Sequence, residues 1–172
     1  MILWALDMTN LNSADAALVS VTLRVNGQTR VLRIDPRYTL ADVLRDDLGL
    51  TGLHLGCEQG VCGACIVTID GEPALSCMNL AVQVDGAEIQ TIEAICRDAA
   101  GLGRVEKAFM EHGAFQCGFC TPGFLVIAHH IVDNGWATSR ERVRNLLSGN
   151  VCRCTGYEPI IDAIMAAGEE RR

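Results

Sequence analysis

Basic residues are in short supply. Only 14 Lys and Arg stand against 21 Asp and Glu, a formal charge of −7, and no run of Lys or Arg exceeds the terminal pair. A surface that binds nucleic acid or anionic lipid through phosphate contacts is thereby disfavoured. Long apolar runs are missing too: residues 1–6 and 124–128 are brief and give way to polar residues, whereas a bilayer span needs about 18 apolar residues. The first residues lack the basic segment and paired arginines of an export signal, so the cytoplasm is the expected compartment. Aromatics amount to only 5% of the chain. There is no G-x-S-x-G elbow, P-loop or G-x-G-x-x-G fingerprint, and Gly101-Leu102-Gly103 is too short to count as a glycine motif. No His and carboxylate group is evidently arranged for acid-base work either.

Against these absences stand nine cysteines in 172 residues that are 49% hydrophobic, a length that suits one ordinary domain or two small ones. In a reducing compartment such a density points to metal ligation, and an odd number suits a disulfide framework badly. Residues 1–17 carry no periodicity and read as an N-terminal extension. Residues 18–92 read as a small α+β domain. Val19, Val21, Leu23 and Val25 alternate with polar residues, Asn26-Gly27 turns the chain, and Val31, Leu32 and Ile34 return. Thr39 can cap a helix bearing Leu40, Val43, Leu44 and Leu48, with Gly49 as its stop. Residues 66–69 and 73–75 flank the turn Asp70-Gly71-Glu72, and residues 88–92 read as a closing strand. Residues 93–103 look like a linker, after which residues 104–172 read as all-α. Val105, Ala108 and Phe109 stripe a first helix. Pro122 opens a central one that stops at Gly135, Thr138 with Glu141 forms a capping box for a third, and Pro159 opens a fourth. Four short helices predict a compact antiparallel bundle.

Cys57-x4-Cys62-x2-Cys65, followed after eleven residues by Cys77, is the plant-type ferredoxin spacing for a [2Fe-2S] cluster. Such a cluster is a buried anion that becomes more negative on reduction, so backbone N–H groups must point at its sulfurs. Gly56, Gly60 and Gly63 permit positive φ and close wrapping, the makings of an anion-binding nest. Zinc also accepts four thiolates, though its motifs favour paired C-x2-C knuckles over a glycine-dense x4/x2 loop. A second set comprises Cys117-x2-Cys120 and, thirty-one residues later, Cys152-x-Cys154. A bundle brings these pairs to one end, with the N-terminus of the central helix beside Cys120, where its amides and dipole favour a more negative cluster. On spacing alone this second set suits zinc as well as iron. Cys96, at the domain junction, reads as a small buried hydrophobe. His54, His112, His129 and His130 read as surface or packing residues, with His54 close enough to the first loop to tune its cluster.

Gly56-Cys57-Glu58-Gln59-Gly60-Val61-Cys62-Gly63-Ala64-Cys65, Ser76-Cys77, Gln116-Cys117-Gly118-Phe119-Cys120-Thr121-Pro122-Gly123 and Asn150-Val151-Cys152-Arg153-Cys154-Thr155-Gly156-Tyr157 resemble the iron-sulfur subunit of the molybdenum hydroxylases, the xanthine oxidase and aldehyde oxidoreductase family. The resemblance spans residues 18–168 and covers the order and spacing of all eight cysteines. It implies an N-terminal β-grasp plant-type ferredoxin domain and an all-α four-helix bundle domain, each with one [2Fe-2S] cluster. It also implies a large partner subunit holding molybdopterin, commonly as the cytosine dinucleotide, and frequently a medium FAD subunit. Electrons would then leave the molybdenum site through the cluster of Cys117, Cys120, Cys152 and Cys154, then through that of Cys57, Cys62, Cys65 and Cys77, to FAD or another acceptor. Gln116 and Cys154 match positions that approach the pterin, so the helical domain should face the large subunit. The extension before Leu18 and Cys96 lie outside the motifs. A stand-alone two-cluster ferredoxin-like carrier is the alternative and would remain monomeric; a zinc-stapled module would be colourless.

Overall fold

The computed structural model describes residues 18–96 and 102–170; the extension expected at 1–17 and residues 97–101 of the expected linker lie outside them. Strands β1 (Val19–Val25) and β2 (Gln28–Ile34) pair antiparallel with Val25 opposite Gln28. Asn26 and Gly27 turn between them at φ 51° and 77°, the backbone that a two-residue hairpin matching the strand twist requires. Val21, Leu23 and Val25 of β1 are buried, as the alternation predicts. Strands β3 (Ile66–Ile69) and β4 (Glu72–Leu75) form the second hairpin, and β5 (Glu88–Gln90) lies between the two. The sheet order is β2-β1-β5-β3-β4, with β1 and β5 parallel and the other neighbours antiparallel.

The helix expected after Thr39 departs from the regular α form. Thr39 does cap it, exchanging hydrogen bonds with Asp42, but helix α1 (Leu40–Asp42) widens into a π-helical turn at Val43–Asp47. There the Leu48 amide reaches back to the Val43 carbonyl at 3.1 Å and the Leu50 amide to that of Leu44 at 2.8 Å. The wide turn keeps Leu40, Ala41, Val43 and Leu44 all in the core. The closing strand ends at Gln90 rather than at 92. Thr91 is held by Asn26, which accepts from its amide and donates to its hydroxyl, both at 2.9 Å, and Ile92–Ile95 turns into helix α2. Part of the expected linker is therefore helical.

The remaining helices among the described residues are α3 (Arg104–Glu111), α4 (Thr121–Asp133), α5 (Arg140–Leu146) and α6 (Glu158–Glu169). Helix α5 is capped by Ser139, whose Oγ accepts from the Arg142 amide at 3.2 Å, and not by the expected Thr138, whose own amide is turned to the Trp136 carbonyl at 2.8 Å. The molecule is thus mixed: a five-stranded sheet followed by a helical region. One core gathers Leu23, Leu44, Val67 and Ile89 around the sheet, and another gathers Phe109, Phe124, Ile131, Val143 and Ile161 between the helices. Helix α4 joins them, packing on β3, β4 and α2 as well as on α3 and α6. Among the described residues no helix is long and apolar enough to cross a membrane.

Candidate metal centres

The first cysteine set is assembled from a loop and two short elements. Cys57 and Cys62 sit on the glycine-rich loop, Cys65 immediately precedes β3, and Cys77 lies in the 3-10 turn Ser76–Met78 that follows β4. Ser76 is fully buried and binds the turn to the loop, its hydroxyl donating to the Cys65 carbonyl at 2.7 Å. Gly60 and Gly63 have φ of 81° and 73°, and Glu58 also adopts the left-handed conformation at 51°. Gly56 does not; it sits in close quarters instead, since a Cβ there would lie 3.2 Å from Cys62 Sγ and 3.3 Å from the Phe119 ring. The loop aims amides at sulfur as a nest should: the N–H groups of Val61 and Cys62 donate to Cys57 Sγ at 3.4 and 3.3 Å. Amide hydrogen bonds from Gln59, Cys62 and Val61 bring the Cys57 thiol down to about 6, whereas burial and the neighbouring Cys65 push Cys77 up to about 11.

The second set lies where the N-terminus of α4 meets the turn before α6. Cys120 is the N-cap of α4, with Pro122 in its first turn. Burial, then its neighbour Cys152, push the Cys120 thiol up to about 12. For Cys152 burial acts upward too, but the amide and hydroxyl of Thr155, at 3.4 and 3.1 Å from its sulfur, outweigh it and lower the thiol. The turn is fixed by Tyr157, in the left-handed region at φ 71°. Its hydroxyl accepts from the Cys152 amide at 3.0 Å and donates to the Asn150 carbonyl at 3.1 Å. Gln116 and Cys154 are both exposed at this end.

The eight free thiols come together two by two. Cys57 is influenced by the neighbouring thiol of Cys62 and Cys77 by that of Cys65; Cys117 and Cys154 stand 3.6 Å apart, and Cys120 neighbours Cys152. Among the described residues the only three ligand atoms of Cys, His, Asp or Glu found mutually within 4.8 Å are those of Cys96, Glu106 and His129, so no three of the eight thiols converge on one point. A single tetrathiolate zinc, with Zn–S near 2.3 Å, needs four sulfurs mutually about 3.8 Å apart. Two thiols at each of two positions instead suit a binuclear centre held by four thiolates.

The two sets are neighbours. The Cys62 carbonyl accepts from the Val151 amide at 2.9 Å, and Asn150 Nδ2 donates to the Gly63 carbonyl at 3.3 Å. His54 Nδ1 meets the Phe119 carbonyl at 2.7 Å and its ring stacks on Phe119 at 4.9 Å. A cavity of about 240 Å³ is lined by Cys57 and Cys62 from one set and by Cys117, Cys120, Cys152 and Cys154 from the other. Phe119, Asn150 and Gly123, which make this junction, were not singled out by spacing; their position inside the cysteine motifs was the available signal.

Comparison with known proteins gives the geometry a context. A [2Fe-2S] binding domain family matches residues 91–165 and a 2Fe-2S iron-sulfur cluster binding domain family matches residues 23–97. The chain is 50% identical over 147 residues to the caffeine dehydrogenase subunit gamma of Pseudomonas sp. (strain CBB1), covering 84% of this chain and 87% of that protein. It is 45% identical over 153 residues to the aldehyde oxidoreductase of Megalodesulfovibrio gigas, covering 87% of this chain but 17% of that one. Among solved structures, quinoline 2-oxidoreductase from Pseudomonas putida 86 superimposes with a TM-score of 0.84 at 48% identity, covering 89% of this chain and 95% of the matched chain.

Proposed function

Because the chain belongs to the family of iron-sulfur small subunits of the molybdenum hydroxylases, the xanthine oxidase and aldehyde oxidoreductase group, we propose that it is the electron-transfer subunit of a heteromeric oxidoreductase whose catalytic centre lies on a partner. It carries electrons from a molybdopterin site on a large subunit to FAD, on a medium subunit, or to another acceptor. Residues 18–92 form the plant-type ferredoxin domain and residues 104–172 a four-helix domain, joined by the linker 93–103 and preceded by the extension 1–17. Cys57, Cys62, Cys65 and Cys77 hold one [2Fe-2S] cluster; Cys117, Cys120, Cys152 and Cys154 hold the other. When bound, each cluster supplies a centre that accepts and returns one electron. Gln116 and Cys154, exposed beside the second set, face the pterin, in its cytosine dinucleotide form. The cytoplasm, where thiols stay reduced, suits such a site.

The observation that carries this reading is the thiol pairing in two adjacent sets, bridged by the hydrogen bond from the Val151 amide to the Cys62 carbonyl. The protein's contribution is positional: amides at Cys57 and Cys152 favour the thiolates, and the docked loops hold the sets side by side. A stand-alone carrier is the second reading, but a matching segment forms 17% of the longer Megalodesulfovibrio gigas oxidoreductase, which favours a chain built to sit on an enzyme. Electron paramagnetic resonance of the dithionite-reduced protein should show two distinguishable signals totalling about two spins per chain, in a sample that co-purifies with a much larger subunit. A signal-free, colourless protein containing zinc would sink the electron-transfer reading, and a monomer with both signals would favour the carrier.

A further inference from the structure

The junction between the sheet and the helices brings together three side chains from three elements. Cys96 is the C-cap of α2, Glu106 lies in the first turn of α3 and His129 is on α4. Their ligand atoms lie mutually within 4.8 Å. His129 Nε2 donates to Glu106 Oε1 at 2.6 Å, and the Glu106 side chain is only 7% exposed. Its second oxygen, Oε2, is shielded from solvent and has no hydrogen-bond partner. Beside that oxygen is Gly103, where a Cβ would intrude to 2.6 Å. A buried carboxylate oxygen with no donor is unusual enough to require a reason, and a thiol and an imidazole against the same carboxylate supply one.

We propose that Cys96, Glu106 and His129 bind one zinc ion, forming a clasp between α2, α3 and α4 that uses none of the eight cluster-set thiols. A thiolate, an imidazole and a carboxylate are the donor types zinc accepts, and three protein ligands leave a fourth position for water. His129 also lines a cavity of about 440 Å³ with Gln90, Ile95 and Val126. On binding, the Cys96 thiol proton goes to solvent, and the single ring hydrogen of His129 moves by way of solvent from Nε2 to Nδ1, so that a neutral imidazole turns its Nε2 lone pair to the ion. The dication is then balanced by one thiolate and one carboxylate. Glu106 is already anionic: burial acts against ionisation, but the hydrogen bond to His129 on Oε1, with the nearby Cys96 thiol, holds it at about 2. Burial and the facing carboxylate push the Cys96 thiol up to about 12, so it ionises only when a cation arrives.

The test uses the full-length protein with its clusters, equilibrated with zinc sulfate and then dialysed. Zinc and iron are counted per chain, and zinc K-edge X-ray absorption reads the ligands. About one zinc per chain with a single sulfur ligand is expected. It should be lost in Cys96→Ala and in His129→Gln while iron content and the reduced-cluster spectrum stay unchanged. Glu106→Gln, which keeps the side chain's size but not its charge, should weaken zinc retention with the clusters likewise intact. Absence of stoichiometric zinc overturns the proposal. So does zinc with four sulfur ligands accompanied by missing iron, which marks replacement in a cluster set, and so does zinc retained in both Cys96→Ala and His129→Gln.

Discussion

Two glycines set how closely the cysteine loops approach. A Cβ at Gly123 would lie 2.3 Å from the Gly63 carbonyl oxygen, and one at Gly63 would lie 2.6 Å from the carbonyl oxygen of Gly149. Both obstacles are backbone atoms, which cannot swing aside. Gly123 is in the first turn of α4, next to Pro122 and close to Cys120, so the contact determines where the second set stands relative to the first. Gly123→Ala must push α4 from the loop, and the cost of such overpacking is about 1–3 kcal/mol. Gly149 is the control, since a Cβ there meets nothing within 4 Å; Gly149→Ala should stay within about 0.5 kcal/mol of the parent. Urea unfolding of the cluster-loaded proteins measures both. Equal destabilisation by the two substitutions would show that the close approach is not what limits position 123.

At the scale of elements, periodicity located the strands and most helices, because alternation and helical spacing record which face is buried. It could not locate features decided by contacts distant in sequence. The closing strand stops where Asn26 captures Thr91 across 65 residues, and the π-helical turn at Val43–Asp47 serves a core packed by the sheet. The cap of α5 is a local miss: Thr138 and Glu141 have capping-box spacing, but Thr138 is bound to Trp136 and Ser139 takes the cap. Ser139→Ala should therefore cost about 1 kcal/mol and Thr138→Ala less than about 0.5 kcal/mol, as read from thermal or urea midpoints. The reverse order would restore the cap to position 138. For the cysteines, spacing grouped eight into two sets, whereas the pairing within each set depends on how the loops fold. Cys117 meets Cys154, 37 residues away, and nothing in either motif alone says so. The group Cys96, Glu106 and His129 was invisible for the same reason, being spread over three helices.

The whole molecule presents apolar side chains to solvent beside both cysteine sets. Val61 and Met78, at 61% and 56% exposure, flank the first; Phe115 and Val151, at 43% and 49%, flank the second. Exposed apolar side chains gathered at one place are where a partner docks most readily, and around an electron-transfer centre a covering partner also keeps water away. A chain that conducts between two partners needs two such faces, one at each set, whereas a transient carrier can serve every partner through one. The faces should therefore fail separately. Phe115→Asp, adjacent to Gln116, is expected to release the large subunit while both cluster signals remain, because the side chain is exposed and lies outside either ligand set. Val61→Asp should leave the large subunit bound, with clusters still reducible by substrate but slow to pass electrons to the acceptor. Co-purification and stopped-flow cluster reduction and reoxidation separate the two outcomes. If both substitutions impair the same partner, the molecule has a single working face and the two-ended arrangement is wrong. If neither changes assembly or electron flow, these apolar groups are not the docking surfaces.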